Sequence, residues 1–165
     1  MAISARLRKM DFREVWLLVR LSVSNPRFAF ATYKATKETL KTCNGLFGDR
    51  HHKNGKANAF RHALWNYLIS ENCYKISGSS EKSRFWSKKV TDLHEKLSPN
   101  EELEREMDLH NNEVGRKLFK KYAGSKMAII DLLKGMMDTA RQIEKPEELQ
   151  KAKNKLVFIE ITIKK

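Results

Sequence analysis

Between Asn58 and Ile69 the chain reads NAFRHALWNYLI, and this stretch restricts the fold more than any other. Its apolar residues recur at the spacing of a buried helix, with no Gly or Pro to interrupt them. Yet Arg61 and His62 sit side by side in its middle. A helix whose only task is packing is safer with Leu or Ala at one of those positions, because buried polar groups need partners. Asn58, His62 and Asn66 fall at i, i+4 and i+8, which makes one polar stripe. Arg61 lies about 100° round the helix from His62 and shares a face with Trp65.

The rest of the chain repeats the helical pattern. With 7 Gly and 3 Pro in 165 residues there is little material for a many-turned β fold, so the expected class is all-α, one compact bundle of about six helices. Asp11 caps a first helix to about Ser24, and Asn25-Pro26 stops it and starts a second, to about Cys43. These form an N-terminal helix pair over 1–45, followed by the loop NGLFGDRHHKNGK and a motif-bearing core over 46–116. SGSSEK opens the fourth helix, Ser98-Pro99-Asn100-Glu101 reads as a capping box for the fifth, and Ser125 begins a sixth that carries its apolar face to Ile143. C-terminal helices fill 117–154. The tail over 155–165 alternates as a strand, with Val157, Ile159, Ile161 and Ile163 on one face. A lone strand has nothing to pair with in a helical domain, so residues 156–163 pack as an extended tail or meet a second copy or a partner's sheet edge.

Two further helices set polar residues among apolar ones. On the fourth, His94 follows Val90 by four and lies near the apolar face, with Glu95 about 100° away. HEKLS lacks the second histidine of the zinc-protease motif, which removes that class. On the fifth, Asp108, Asn111, Asn112, Gly115 and Arg116 share one side, whereas His110 points roughly 200° from Asp108 and cannot join it at one metal. Where these stripes converge, His62, His94, Asp108 and Glu95 are the candidate proton-transfer groups. Arg61 and Arg116 suit a phosphate, with Asn58, Asn66, Asn111 and Asn112 completing a substrate-binding set. A His94 imidazole against Asp108 would be held in one tautomer. A divalent metal is compatible with this set and not required by it. The bland reading of the same residues is a polar network that fixes helix register.

The ordered segments FGDRHHKNGKANAFRHALWN, DLHE and MDLHNNEVGR resemble a bacterial domain family of uncharacterised function, often met in secreted or polymorphic toxin-like proteins. Its pattern reads roughly Asp-Ala-Phe-Arg-His-Ala-Leu-Trp, then His-Glu, then Met-Asp-Leu-x-Asn-Asn-x-x-Gly, and the likeness covers residues 46 to 116. The resemblance points to Arg61, His62, Trp65, His94, Glu95, Asp108, Asn111, Asn112, Gly115 and Arg116. Asn58 departs from it, standing where the pattern often has Asp. The resemblance implies a toxin or effector setting, with a cognate inhibitor or a secretion-apparatus protein as possible partners.

The net charge of +13, from 33 Lys and Arg against 20 Asp and Glu, favours anionic partners: phospholipid or nucleic acid. Cys43 and Cys73 form no disulfide framework and no CxxC motif, as in a reducing cytoplasm. No segment is apolar enough to span a membrane, and no signal peptide is recognisable, so synthesis in the cytoplasm and export by another route is the expectation. Two function classes stay open. One is a small hydrolase acting on a phosphate-bearing substrate, phospholipid or lipid-linked phosphate before nucleic acid; the other is a non-catalytic basic module that binds nucleic acid or an acidic protein.

Overall fold

The structure is a computed structural model that describes residues 12–123 and 128–159. Among these residues the chain is almost entirely helical, in six α-helices, two 3-10 turns and a two-stranded ribbon. Helix α1 (Phe12–Ser24) is followed at once by α2 (Pro26–Phe47), whose start is fixed by Asn25: its side-chain oxygen accepts from the Phe28 N–H, with Pro26 at the first helical position. Gly48 ends α2 with φ +55° and opens the 3-10 turn Gly48–His52. Helix α3 (Lys56–Ser77) stops at Gly78 in the left-handed conformation, where the N–H returns to the Tyr74 carbonyl. Ser79 caps α4 (Ser80–Lys96) by accepting from the Lys82 N–H. Helices α5 (Glu102–Tyr122) and α6 (Ile129–Asp138) complete the set.

Helix α3 is the axis of the molecule. It packs against α2, α4, α5 and α6, so it is buried almost all round, the polar stripe Asn58, His62 and Asn66 included. Ala59, Phe60, Ala63, Leu64, Leu68 and Ile69 bury against Phe28, Ala31 and Ala35 of α2, Trp86 of α4, Val114 and Phe119 of α5 and Leu133 of α6. The crossing of α3 and α5 is unusually close. A Cβ on Gly115 would stand 2.1 Å from the Ala63 carbonyl oxygen, so no other residue fits there without parting the helices.

Several sequence expectations shift. The second helix runs past Cys43 to Phe47, and the loop after it contains the 3-10 turn. The fifth helix begins later than Ser98: Glu101 is the N-cap and Glu104 its capping-box partner, while the Ser98 hydroxyl donates back to the His94 carbonyl. The sixth helix ends at Asp138, leaving Ala140 and Ile143 outside it. Arg141–Gln142 instead forms β1 and pairs in parallel with β2 (Val157–Phe158), so the tail strand finds its partner within its own chain. Ile143, Val157, Ala152 and Met107 make a second, smaller core beneath this ribbon. The highly charged stretch from Pro146 is a 3-10 turn to Ala152. Asp11, Gly124, Ser125, Ile161 and Ile163 lie outside the described residues.

Candidate functional site

The polar side chains of α3, α4 and α5 meet in the interior. His62 is 2% exposed, Glu95 1% and Asp108 3%. The His62 ring stands between the two carboxylates, with Nδ1 3.5 Å from a Glu95 oxygen and Nε2 3.3 Å from an Asp108 oxygen. Three helices therefore bring a base and two acids together out of water, where charge–charge effects are strongest.

The surrounding amides are oriented from the outside inwards by two arginines. Arg116 Nη1 donates to Asn66 Oδ1 at 2.8 Å, and Ser87 and Thr91 hydroxyls donate to the same oxygen. The Asn66 amide nitrogen must then donate, and it does so to the His62 carbonyl and to Asn112 Oδ1. Asn112 Oδ1 also faces His62 Nδ1 at 3.1 Å, while its amide nitrogen donates to Glu95. An acceptor opposite Nδ1 means that this nitrogen carries the imidazole hydrogen. At the other end, Arg61 Nη2 donates to Asn58 Oδ1 at 2.6 Å, and the Asn58 amide donates to Asp108. The same Arg61 nitrogen lies 2.9 Å from His62 Nε2 and meets an accepting lone pair. His62 is thus held as one tautomer, with Nε2 the nitrogen able to take a proton.

Residues 19–141 match the model of a protein family described as Domain of unknown function (DUF6973). The chain belongs to this family. No curated protein and no solved structure matches the chain. What this DUF6973 domain can do must come from the geometry of its own residues.

The two carboxylates are pushed in opposite directions. Burial raises Asp108 to about 6, helped by the charge of Glu95 and opposed by His62, Arg61 and the Asn58 hydrogen bond. Burial also pushes Glu95 up, but the hydrogen bond and charge of His62, the charge of His94 and the Asn112 amide outweigh it, so Glu95 is held below its ordinary value. A carboxyl that keeps its proton up to about pH 6 and a carboxylate that gives it up below its ordinary value stand on opposite sides of one imidazole. That separation is how one site divides acid from base roles.

Of the residues read from the sequence, His62, Glu95, Asp108, Asn58, Asn66, Asn112, Arg61 and Arg116 come together. His94 and Asn111 do not join them. His94 sits half-buried with its ring edge-on to Trp65, centroids 5.1 Å apart, so the imidazole that meets Asp108 is that of His62. Asn111 holds the tail, its amide donating to the Val157 carbonyl and its oxygen accepting from the Val157 N–H. Arg116 is committed within the fold, to Asn66 and Thr91 on one side and Glu113 on the other. Arg61 is only half-buried and reaches the exposed His52, which places it at the edge of the cluster. Asn58 puts an amide donor 3.2 Å from Asp108.

Two features escaped the sequence reading. Asn100, in the turn before α5, donates to the other oxygen of Asp108. Ser83, Ser87, Thr91 and Glu95 are the buried stripe of α4, at strict i, i+4 spacing. That spacing is visible in the sequence, but placing the apolar face at Val90 and His94 leaves Glu95 pointing about 100° away. An open cleft of about 500 Å³ between α4 and α5 reaches Glu95 and Arg116, with Lys88, Lys96 and Arg105 along it. His62, Glu95 and Asp108 could also hold a divalent cation, since one ligand atom from each lies within 4.8 Å of the others. A cation at Nε2 would have to displace the Arg61 guanidinium, and each carboxylate already accepts from an amide.

Proposed function

We propose that this domain is a hydrolase acting on a phosphate-bearing substrate, with His62 as the proton-transfer group. The observation that carries the reading is the buried His62 ring between a carboxylate pushed down and a carboxyl pushed up. Asn112 Oδ1 holds the Nδ1–H tautomer, and Glu95, 3.5 Å from Nδ1, balances the imidazolium that forms, as a buried carboxylate does in hydrolytic triads. Nε2 takes a proton from the attacking water, a P–O bond forms to that oxygen, and Asp108 gives its proton to the leaving oxygen as the ester P–O bond breaks. The proton then returns from Nε2 to Asp108 across 3.3 Å, which restores the site. Arg61 covers Nε2 in the resting molecule, and a substrate phosphate draws the guanidinium onto itself and uncovers that nitrogen.

Phospholipid or a lipid-linked phosphate is the first substrate class and nucleic acid the second, in a bacterial toxin or effector setting. The test is to express wild type and His62→Ala in bacteria, directed in turn to the cytoplasm and the periplasm. Phospholipids, lipid-linked phosphates and nucleic acids are then extracted and quantified. A species lost only with the wild type supports the reading and names the substrate; no difference in either compartment, with both proteins folded, refutes it. A non-catalytic basic module that binds nucleic acid or an acidic protein is the second reading, favoured by the net charge of +13. On that reading polyanion binding falls steeply with salt and His62→Ala binds normally.

A further inference from the structure

The N-terminal helix pair inverts the ordinary surface pattern. Trp16, Val19 and Val23 of α1 lie at i, i+3 and i+7 on one face and are 56%, 47% and 73% exposed. Leu21, on another side of the helix, is buried in the core. On α2, Phe28, Ala31 and Ala35 face inward while Phe30 and Tyr33 are exposed. Exposed cations run alongside: Arg20, Arg27, Lys34, Lys37 and Lys41, while the sequences of the two helices contain only Glu14 and Glu38 as acids. The Lys34 ammonium rests over the Phe30 ring, 4.7 Å from its centroid.

We infer that α1 and α2 form a docking surface for an anionic lipid bilayer. Apolar and aromatic side chains beside cations, with almost no acid, are what an interfacial helix needs: burial of the apolar face below the headgroups and attraction of the cations to them. Trp and Tyr favour that boundary. Nucleic acid would use the cations but gives Val19 and Val23 nothing to bury against. A second copy would bring the same cations into opposition, at a like-charge cost. The surface is read from exposure and charge alone, independent of the hydrolase reading. For that reading it specifies where the substrate is met, at a membrane rather than in free solution.

The test is co-sedimentation of the full chain with equimolar phosphatidylglycerol–phosphatidylcholine vesicles and with pure phosphatidylcholine vesicles, at low salt. Wild type partitions to the anionic vesicles by about tenfold or more over the neutral ones, given the weight of each cation at such a surface. Val23→Asp/Phe30→Asp and Arg27→Glu/Lys34→Glu, confirmed folded by circular dichroism, each lose about tenfold or more of this binding. His62→Ala binds as wild type does, which separates this result from any failure of the catalytic reading. Equal partitioning to both vesicles overturns the proposal. So does wild-type binding by the folded double variants, or an effect of Val23→Asp/Phe30→Asp confined to oligomeric state on gel filtration.

Discussion

The centre and one edge of this molecule break the same rule in opposite senses. Where α3, α4 and α5 meet, a histidine, a glutamate, an aspartate, an arginine and three asparagines are buried. On α1 and α2, a tryptophan, two valines, a phenylalanine and a tyrosine are exposed. Buried polar groups and exposed apolar patches are the informative exceptions in a globular protein. At the centre each polar group has a partner, so stability is not sacrificed to an unsatisfied atom, yet burying two carboxylates remains unfavourable compared with packing apolar residues there. At the edge these apolar side chains stand exposed, with the Lys34 ammonium resting over the Phe30 ring. The proposed chemistry is placed in the first region and the proposed lipid docking in the second.

The largest effect expected is on turnover. His62→Ala and Asp108→Asn each reduce hydrolysis by about 10²–10⁴-fold, the weight of a positioned acid or base; a residual rate close to wild type in either would remove that residue from the chemistry. The amide in Asp108→Asn can still donate a hydrogen bond but cannot deliver a proton, so its loss separates proton transfer from positioning.

Gly115→Ala comes next, acting on stability. Alanine gains about 1 kcal/mol of helix propensity over glycine. Its Cβ would stand 2.1 Å from a backbone oxygen of α3, and forcing the helices apart costs about 3 kcal/mol. The clash wins, and chemical denaturation should show a net loss; a gain would mean that the α3–α5 crossing is looser than it stands here.

The third effect is the pH dependence of stability. Asp108 is raised in the fold from the ordinary 3.8 to about 6, so its contribution is fully present below the unfolded value and is lost as pH rises through 6. That loss is at most about 3 kcal/mol. Glu95 is lowered, so its contribution is present above its unfolded value and is lost as pH falls through the folded one. Asp108→Asn removes the first term alone. The stability of the variant relative to wild type should therefore be greatest above pH 6 and shrink toward pH 4, a trend that denaturant melts across that range would reveal. The smallest effect is that of Val23→Asp, which should alter stability by no more than about 0.5 kcal/mol while weakening vesicle binding.

How much of this was legible in the sequence follows the physics of each signal. The helical class, the Asn25-Pro26 junction and the stripe Asn58–His62–Asn66 rest on local periodicity and capping, which sequence carries directly. The α4 face was misjudged because its buried stripe is made of hydroxyls: Ser83, Ser87 and Thr91 look like a solvated side until their partners on α3 and α5 are known. The choice of His62 over His94 as the partner of Asp108 depends on how three helices cross, which no spacing along one helix reports. The pairing of β2 with β1 was hidden for a similar reason, since Arg141–Gln142 is a two-residue strand with no alternating pattern to announce it. Gly115 is visible in the sequence on the same side of its helix as Asp108, but its meaning, a backbone passing where a Cβ would be, emerges only with Ala63 opposite it.

The most direct test of the central claim joins activity and stability in one variant. Once the expression screen has named a substrate, Asp108→Asn and wild type are compared at pH 8 for hydrolysis and for denaturation midpoint. A buried acid kept for chemistry predicts that hydrolysis is lost while the midpoint holds or rises, because a carboxyl that resists ionising has been replaced by a neutral amide. Hydrolysis at the wild-type level, together with a lowered midpoint, would make the His62, Glu95 and Asp108 cluster a structural network and contradict the account.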